Sequence, residues 1–311
     1  MTAIGVADLP NEVVIPLVHL LASNGKQLRS QILIACAQAG RRVDDPEVRS
    51  AAVAIELFQL ATLAHDDVVD AGEMRRGAQT VALSYGNAAS GFVGGVLFAR
   101  ALELIAALGA EPLTRFATTA SRVCLGQMQE GEDLFDLARS MDRYYTVIDG
   151  KTASLFELAA WLGAWLARAD EETASTYARF GREFGTAFQI ADDVLDLVAS
   201  ESETGKSPAK DLRQGVYTLP VLYALARDPE LRGALDAESL QKDVGAVITR
   251  VKLSGGIEHA IGDCQCLADG AAALLREGIA LRPSCVESPI SLLYKAVQPV
   301  TRLREEQASA A

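Results

Sequence analysis

Six aspartates in two matching groups carry the chemistry this sequence is equipped for. The stretch LAHDDVVDAGEMRRG, residues 63 to 77, holds Asp66, Asp67 and Asp70, and FQIADDVLDL, residues 188 to 197, repeats the spacing with Asp192, Asp193 and Asp196. On a helix the first and last carboxylates of each group stand one turn apart on one face, where like charges repel by roughly a few tenths of a kcal/mol. One such group alone reads as a solvated helix face, since charged side chains are usually exposed. Here both copies sit in apolar sequence, IELFQLATLAHDDVVD and FGTAFQIADDVLDLV, and carboxylates on buried helices are too costly to leave uncompensated. Mg²⁺ takes oxygen ligands, binding one or two protein carboxylates and sharing the rest of its shell with water and substrate phosphates. Two facing copies would therefore clamp Mg²⁺ around a diphosphate. Arg75 and Arg76 after the first group, Lys26 and Arg29 in GKQLRS, Lys151 in GKTASL and Lys206 in GKSPAKD supply positive charge, although each taken singly reads as a surface cation.

These groups need helices to carry them. Prolines at 46, 112 and 208 bound two proline-free stretches, 47 to 111 and 113 to 207, rich in Ala, Leu, Glu and Arg. Apolar residues recur there at helical spacing, and AAVAIELFQLATLAHDD is apolar almost all round, as a buried helix is. No Asn-Gly hairpin signal and no convincing alternating run appears. The sequence predicts an all-α fold in a single domain, residues 1–311, with flexible ends at 1–12 and 304–311, because no Pro/Gly/Ser-rich linker divides it. The clearest break, ASESETGKSPAKDLRQGVYTLP at 199 to 220, is predicted as a loop carrying Lys206, Lys210 and Arg213.

Composition narrows the partners. A net charge of -12 argues against a protein that coats nucleic acid. Five cysteines without a CxxC pair, and three histidines, do not suit a structural zinc site and read as reduced thiols. The opening MTAIGVADLPNEVV lacks the features of a signal peptide, and the apolar run at 155 to 167 contains Glu157 and is too short for a membrane span. The expectation is a soluble, cytoplasmic protein.

Taken in order and spacing, GKQLRS, HDDVVDAGEMRRG, KTASLF, FGTAFQIADDVLD and GKSPAKDLRQGVYTLPVL resemble the motifs of the trans-isoprenyl diphosphate synthases, or polyprenyl synthetases. The resemblance spans roughly residues 20 to 225. It implies a helical bundle around a central cavity, of the isoprenoid synthase type, working as a homodimer. The implied reaction is head-to-tail prenyl transfer. Mg²⁺, about three ions with diphosphate bound, draws diphosphate off an allylic substrate, and the double bond of isopentenyl diphosphate attacks the resulting cation.

Residue by residue, the resemblance implies that Asp66, Asp70 and Asp192 hold Mg²⁺, with Asp67, Asp193 and Asp196 supporting ligands and bound water. Lys26, Arg29, Arg76 and Gln59 would hold isopentenyl diphosphate, and Arg75, Lys151 and Lys206 the allylic diphosphate. Thr152 and Gln189 would present oxygens to the cation, and Tyr144 precedes them at the family spacing. Four positions depart from the family pattern. Ser30 replaces a proline, Gln59 a frequent histidine, Gly94-Gly95 a Gly-Asp pair, and Val216 a frequent lysine. Product length is read from the helix before Asp66, where Thr62 and Ala61 leave the first stop open and Phe58 lies about 4.5 Å deeper. That depth favours about twenty to twenty-five carbons, with longer chains if Phe58 turns aside and Ile55 becomes the floor. Two other readings compete: a class I terpene cyclase, which needs no second-substrate site, and a non-catalytic subunit of a heteromeric synthase.

Overall fold

The structure is a computed structural model that describes residues 10–22, 25–40, 44–75, 77–198, 209–278 and 283–310. Its helices, in chain order, are α1 (Asn11–Ala22), α2 (Leu28–Ala37), α3 (Pro46–Val69), α4 (Val81–Tyr85), α5 (Asn87–Ala106), α6 (Ala110–Glu132), α7 (Met141–Ile148), α8 (Ser154–Leu166), α9 (Glu171–Val198), α10 (Lys210–Arg213), α11 (Leu219–Arg227), α12 (Ala237–Leu253), α13 (Gly256–Gly278) and α14 (Pro283–Ala310). The all-α expectation holds. A two-residue antiparallel pair, β1 (Met74–Arg75) and β2 (Ala78–Gln79), escaped the sequence reading because strands this short show no alternation. Of the segment expected as loop, residues 210–213 form α10 and α11 begins at Leu219, while 199–208 lie outside the described residues. The last helix runs on to Ala310, through the end expected to be flexible.

The bundle is built around α8, whose sequence SLFELAAWLGAWL is buried on nearly every face. It packs against α2, α3, α6 and α9, and α9 packs in turn against α13 and α14. Phe156, Phe180 and Phe184 fill the space between α8 and α9, and Trp161 on α8 packs under Arg115 of α6. Burying each such ring contributes about 2 kcal/mol through apolar area removed from water. Close approach needs small residues. A Cβ on Gly185 of α9 would lie 2.6 Å from Ala153 Cα.

Local signals set the helix that carries the first aspartates. Asp45 caps α3 by accepting from the Glu47 amide at 2.9 Å, with Pro46 at the first helical position. At its other end Asp70 is the C-cap, Ala71 turns left-handed (φ 47°) and Gly72 N–H donates to Asp67 O at 3.0 Å, which stops the helix directly after the acidic group. Among the described residues one helix, α5, has the length and mean hydropathy (1.5) of a membrane span, which the sequence reading had sought only at 155 to 167. In the fold it packs against α1, α3, α4 and α6, with about a third of its apolar window buried and Phe92 exposed.

Candidate active site

The two aspartate groups lie at the ends of α3 and α9, and one short segment ties them together. Lys210 donates its backbone N–H to Asp196 Oδ1 (3.2 Å) and places its ammonium 3.8 Å from Asp70 Oδ2. The Asp211 amide donates to Asp196 Oδ2 at 3.2 Å, and Gln214 Nε2 donates to the Asp70 carbonyl at 3.2 Å. The groups therefore face one site.

Between them stands Lys151. The chain from α7 into α8 passes through a single π-turn, Asp149–Ala153, that contains both Lys151 and Thr152. Lys151 pairs with Glu130 of α6. Burial opposes its charge, but Glu130, Asp66 and Asp70 outweigh that and hold the ammonium pKa above its ordinary value. Thr152 donates to Gln189 Oε1 (2.7 Å), and Gln189 donates onward to Asp193 Oδ1 (2.8 Å).

Within each group the three aspartates differ. The middle ones are buried and turned inward. Asp67 accepts from Arg75 Nε at 2.6 Å, while its other oxygen is buried without a hydrogen-bond partner among the described residues. Asp193 accepts from the Tyr144 hydroxyl (2.6 Å) and from Gln189. Burial pushes both carboxyls up, Asp193 the further, since the Arg75 charge draws Asp67 back and Asp211 adds to the rise at Asp193. The outer aspartates border the site: Asp66 and Asp70 are half-buried and Asp192 is exposed. Burial raises Asp66 to about 6, with Lys151 lowering it and Asp70 raising it. The resemblance had already divided the six into Asp66, Asp70 and Asp192 as ligands and Asp67, Asp193 and Asp196 as supports; in the fold Asp67 and Asp193 are the buried ones and Asp196 is half-buried.

The second cation cluster lies at the start of α2. Arg29 stacks on the Phe156 ring at 4.4 Å and Lys26 is exposed beside it. Glu56 of α3 accepts the Ser30 amide (3.0 Å), so Gln59, one turn further along α3, comes to the same end of α2. Arg76 and Lys206 lie outside the described residues. Of the departures, Ser30 donates to the Gln27 carbonyl (2.9 Å), Gly94 lies where a Cβ would run into the His65 ring, Gly95 faces open space and Val216 is half-buried. Deeper on α3, Phe58 is buried against Phe116 (5.0 Å between centroids) and Phe98 (5.7 Å), from α6 and α5. Ala61 is buried, and Thr62 donates to the Gln59 carbonyl at 2.8 Å.

Three site residues were missed from sequence. Glu130 lies in GQMQEGED, which reads as a solvated acidic stretch. Asp211 and Gln214 fell in a presumed loop. Asp211 is pushed up by burial and by Asp196, Glu130 and Asp192 around it. The available signal was its place immediately after Lys210, a cation already singled out.

A helical bundle that gathers two DDxxD helices, a lysine and a separate arginine end around one site defines a prenyltransferase acting on diphosphates. The Polyprenyl synthetase family model matches residues 11–250. The chain is similar to a nonaprenyl diphosphate synthase of Mycobacterium tuberculosis (36% identical, 78% of this chain and 74% of that one). It is also similar to component 2 of a heptaprenyl diphosphate synthase of Geobacillus stearothermophilus (37% identical, 78% and 76%). Among solved structures it superposes on a Caulobacter crescentus polyprenyl synthase complexed with calcium and isoprenyl diphosphate (TM-score 0.87, 31% identical, 95% and 92% covered). The chain belongs to the polyprenyl synthetase family.

Proposed function

We propose that this single-domain chain makes a linear trans-polyprenyl diphosphate by Mg²⁺-dependent condensation of isopentenyl diphosphate with an allylic diphosphate. The observation that carries the reading is Lys210 joining the two aspartate groups, Asp196 through its amide and Asp70 through its ammonium. Among the described residues no group of three His, Cys, Asp or Glu side chains converges to hold a metal by itself. The carboxylate oxygens of Asp66, Asp70 and Asp192 suit Mg²⁺, which takes the rest of its shell from water and diphosphate oxygens. Asp66, Asp70 and Asp192 would hold the ions, about three with diphosphate bound, and Asp196 would support them. When bound, Mg²⁺ supplies Lewis acidity toward the leaving diphosphate.

The chain's own residues do the remaining work. Lys151 and Arg75, with Lys206, bind the allylic diphosphate. Lys26, Arg29, Arg76 and Gln59 bind isopentenyl diphosphate. Thr152 and Gln189, aligned by Asp193 and Tyr144, turn oxygens toward the allylic cation and help stabilise it. No catalytic histidine is required. The growing tail runs along α3 to a floor at Phe58, braced by Phe98 and Phe116, for a product of about twenty to twenty-five carbons. Exposed Phe92 on α5 and Leu125 and Met128 on α6 support assembly as a homodimer. The activity requires no nucleic acid and no membrane span, and we place it in the cytoplasm.

The test is a split of Michaelis constants. Arg29→Ala should raise KM for isopentenyl diphosphate about tenfold or more, and Lys206→Ala should do so for the allylic substrate, because each removes a charge from a different diphosphate. Equal changes for both substrates in both variants would show that the cations are divided wrongly. Hydrocarbon released from the allylic substrate alone would instead identify a cyclase.

A further inference from the structure

On the face of the Lys151 turn that points away from the aspartates, the structure gathers four charges that prenyl transfer does not use. Asp149, first residue of the π-turn, accepts from Arg122 Nη2 of α6 at 3.0 Å and from Arg182 Nε of α9. Arg122 Nη1 reaches on to Glu157 of α8 at 2.8 Å. As partly exposed ion pairs these would contribute little to stability. Their placement has a different consequence.

On α6, Arg122, Gly126 and Glu130 recur at helical spacing. Arg122 holds Asp149, Gly126 admits the turn's backbone, since a Cβ there would lie 2.5 Å from Lys151 N, and Glu130 takes the Lys151 ammonium. On α9, Arg182, Gly185 and Gln189 repeat the arrangement. Arg182 holds Asp149, a Cβ on Gly185 would lie 2.6 Å from Ala153 Cα, and Gln189 takes the Thr152 hydroxyl. Two helices thus grip the turn at three matched levels, and Asp149 forms the outermost level for both.

We propose that Asp149 is a positioning residue: its bridge between Arg122 and Arg182 keeps this segment wound as a π-turn and so sets the direction of Lys151 and Thr152. A π-turn holds one residue more than an α-helical turn and is rare without outside support. Released, the segment can rewind as α-helix, and a register change of one residue rotates a side chain by about 100° about the axis. Lys151 would then leave Glu130, and Thr152 would leave Gln189. The proposal rests on the reading that Lys151 binds the allylic diphosphate.

The experiment compares Asp149→Ala, Asp149→Glu, Arg182→Ala and Lys151→Ala with the wild type. KM and kcat are measured for farnesyl diphosphate and isopentenyl diphosphate, together with Tm. The Arg182 side chain is 56% exposed, so its removal tests the bridge without threatening the fold. Asp149→Ala should raise KM for farnesyl diphosphate about tenfold while KM for isopentenyl diphosphate stays within about twofold. Arg182→Ala should give a smaller change in the same direction, and Asp149→Glu should recover part of the loss. The positioning role is overturned if the wild type elongates and Lys151→Ala loses allylic affinity, yet Asp149→Ala and Arg182→Ala leave both constants alone or shift them equally in step with Tm. A wild type that does not elongate, or a Lys151→Ala variant with unchanged farnesyl diphosphate affinity, overturns the reading underneath, and the proposal falls with it.

Discussion

The two aspartate groups share one spacing but are supported in opposite ways. Asp67 of the first group is anchored by a cation, Arg75, whereas Asp193 of the second is anchored by the neutral Tyr144 hydroxyl and Gln189 amide. Outside the anchors, the first group has Lys151 and Lys210 close by, while Asp196 is met by backbone amides. One DDxxD spacing therefore stands beside protein cations in the first group and beside backbone amides in the second. The middle aspartate is buried in each case, and those one residue before and three after are more exposed.

The largest expected effect falls on the outer aspartates. Asp66→Ala and Asp192→Ala should each cost about 3 to 4 kcal/mol of transition-state stabilisation, a few hundredfold in kcat/KM. A variant of either kind with near-normal turnover would remove that residue from the metal site. Next come the anchors, where the comparison is sharpest. Asp67→Asn breaks an ion pair beside a buried oxygen and should destabilise the fold by about 1 to 3 kcal/mol. Asp193→Asn keeps hydrogen-bond partners for a carboxyl that burial already pushes toward neutrality, and should cost less than about 1 kcal/mol. Denaturant unfolding of the two variants ranks them, and equal losses would erase the distinction between charged and neutral support.

A smaller effect concerns pH. Asp66 titrates near 6 in the folded protein against an ordinary 3.8, so between those values the folded state binds the extra proton and the unfolded state does not. Metal-free protein should therefore lose stability as pH rises from about 4 to about 6 through this group, and Mg²⁺ affinity should weaken as pH falls through about 6. Calorimetric titration with Mg²⁺ and pyrophosphate across that range measures it, and a flat profile would mean that Asp66 is already balanced. The smallest effect leaves rates nearly intact and shifts only the product. Phe58→Ala should lengthen it and Ala61→Phe should shorten it, each by about one five-carbon unit per helical turn. An unchanged product from Phe58→Ala would place the floor elsewhere.

How much of this was legible in sequence follows from the range of the interactions. The DDxxD spacing and apolar surroundings announced helices, and Asp45-Pro46 announced where one of them starts, because caps and periodicity are local. The bridge through Lys210 was not legible, since it joins Asp70 to a residue far along the chain. Glu130 was hidden for the same reason: its partner Lys151 lies on a different helix, and an acidic residue among acidic neighbours looks solvated. The π-turn left no periodic signature, because one extra residue in a run such as VIDGKTASLF disturbs the helical pattern too little to register. The hairpin after Asp70 was missed because two residues cannot alternate.

The central claim is that both groups hold one Mg²⁺–diphosphate site used for elongation. Its most direct test is incubation of the purified chain alone with labelled isopentenyl diphosphate and an allylic diphosphate, with Mg²⁺ and with the metal chelated. The account predicts a labelled linear polyprenyl diphosphate that forms with Mg²⁺ and disappears on chelation. Labelled product undiminished by chelation would contradict it, as would no incorporation of label while Mg²⁺ is present.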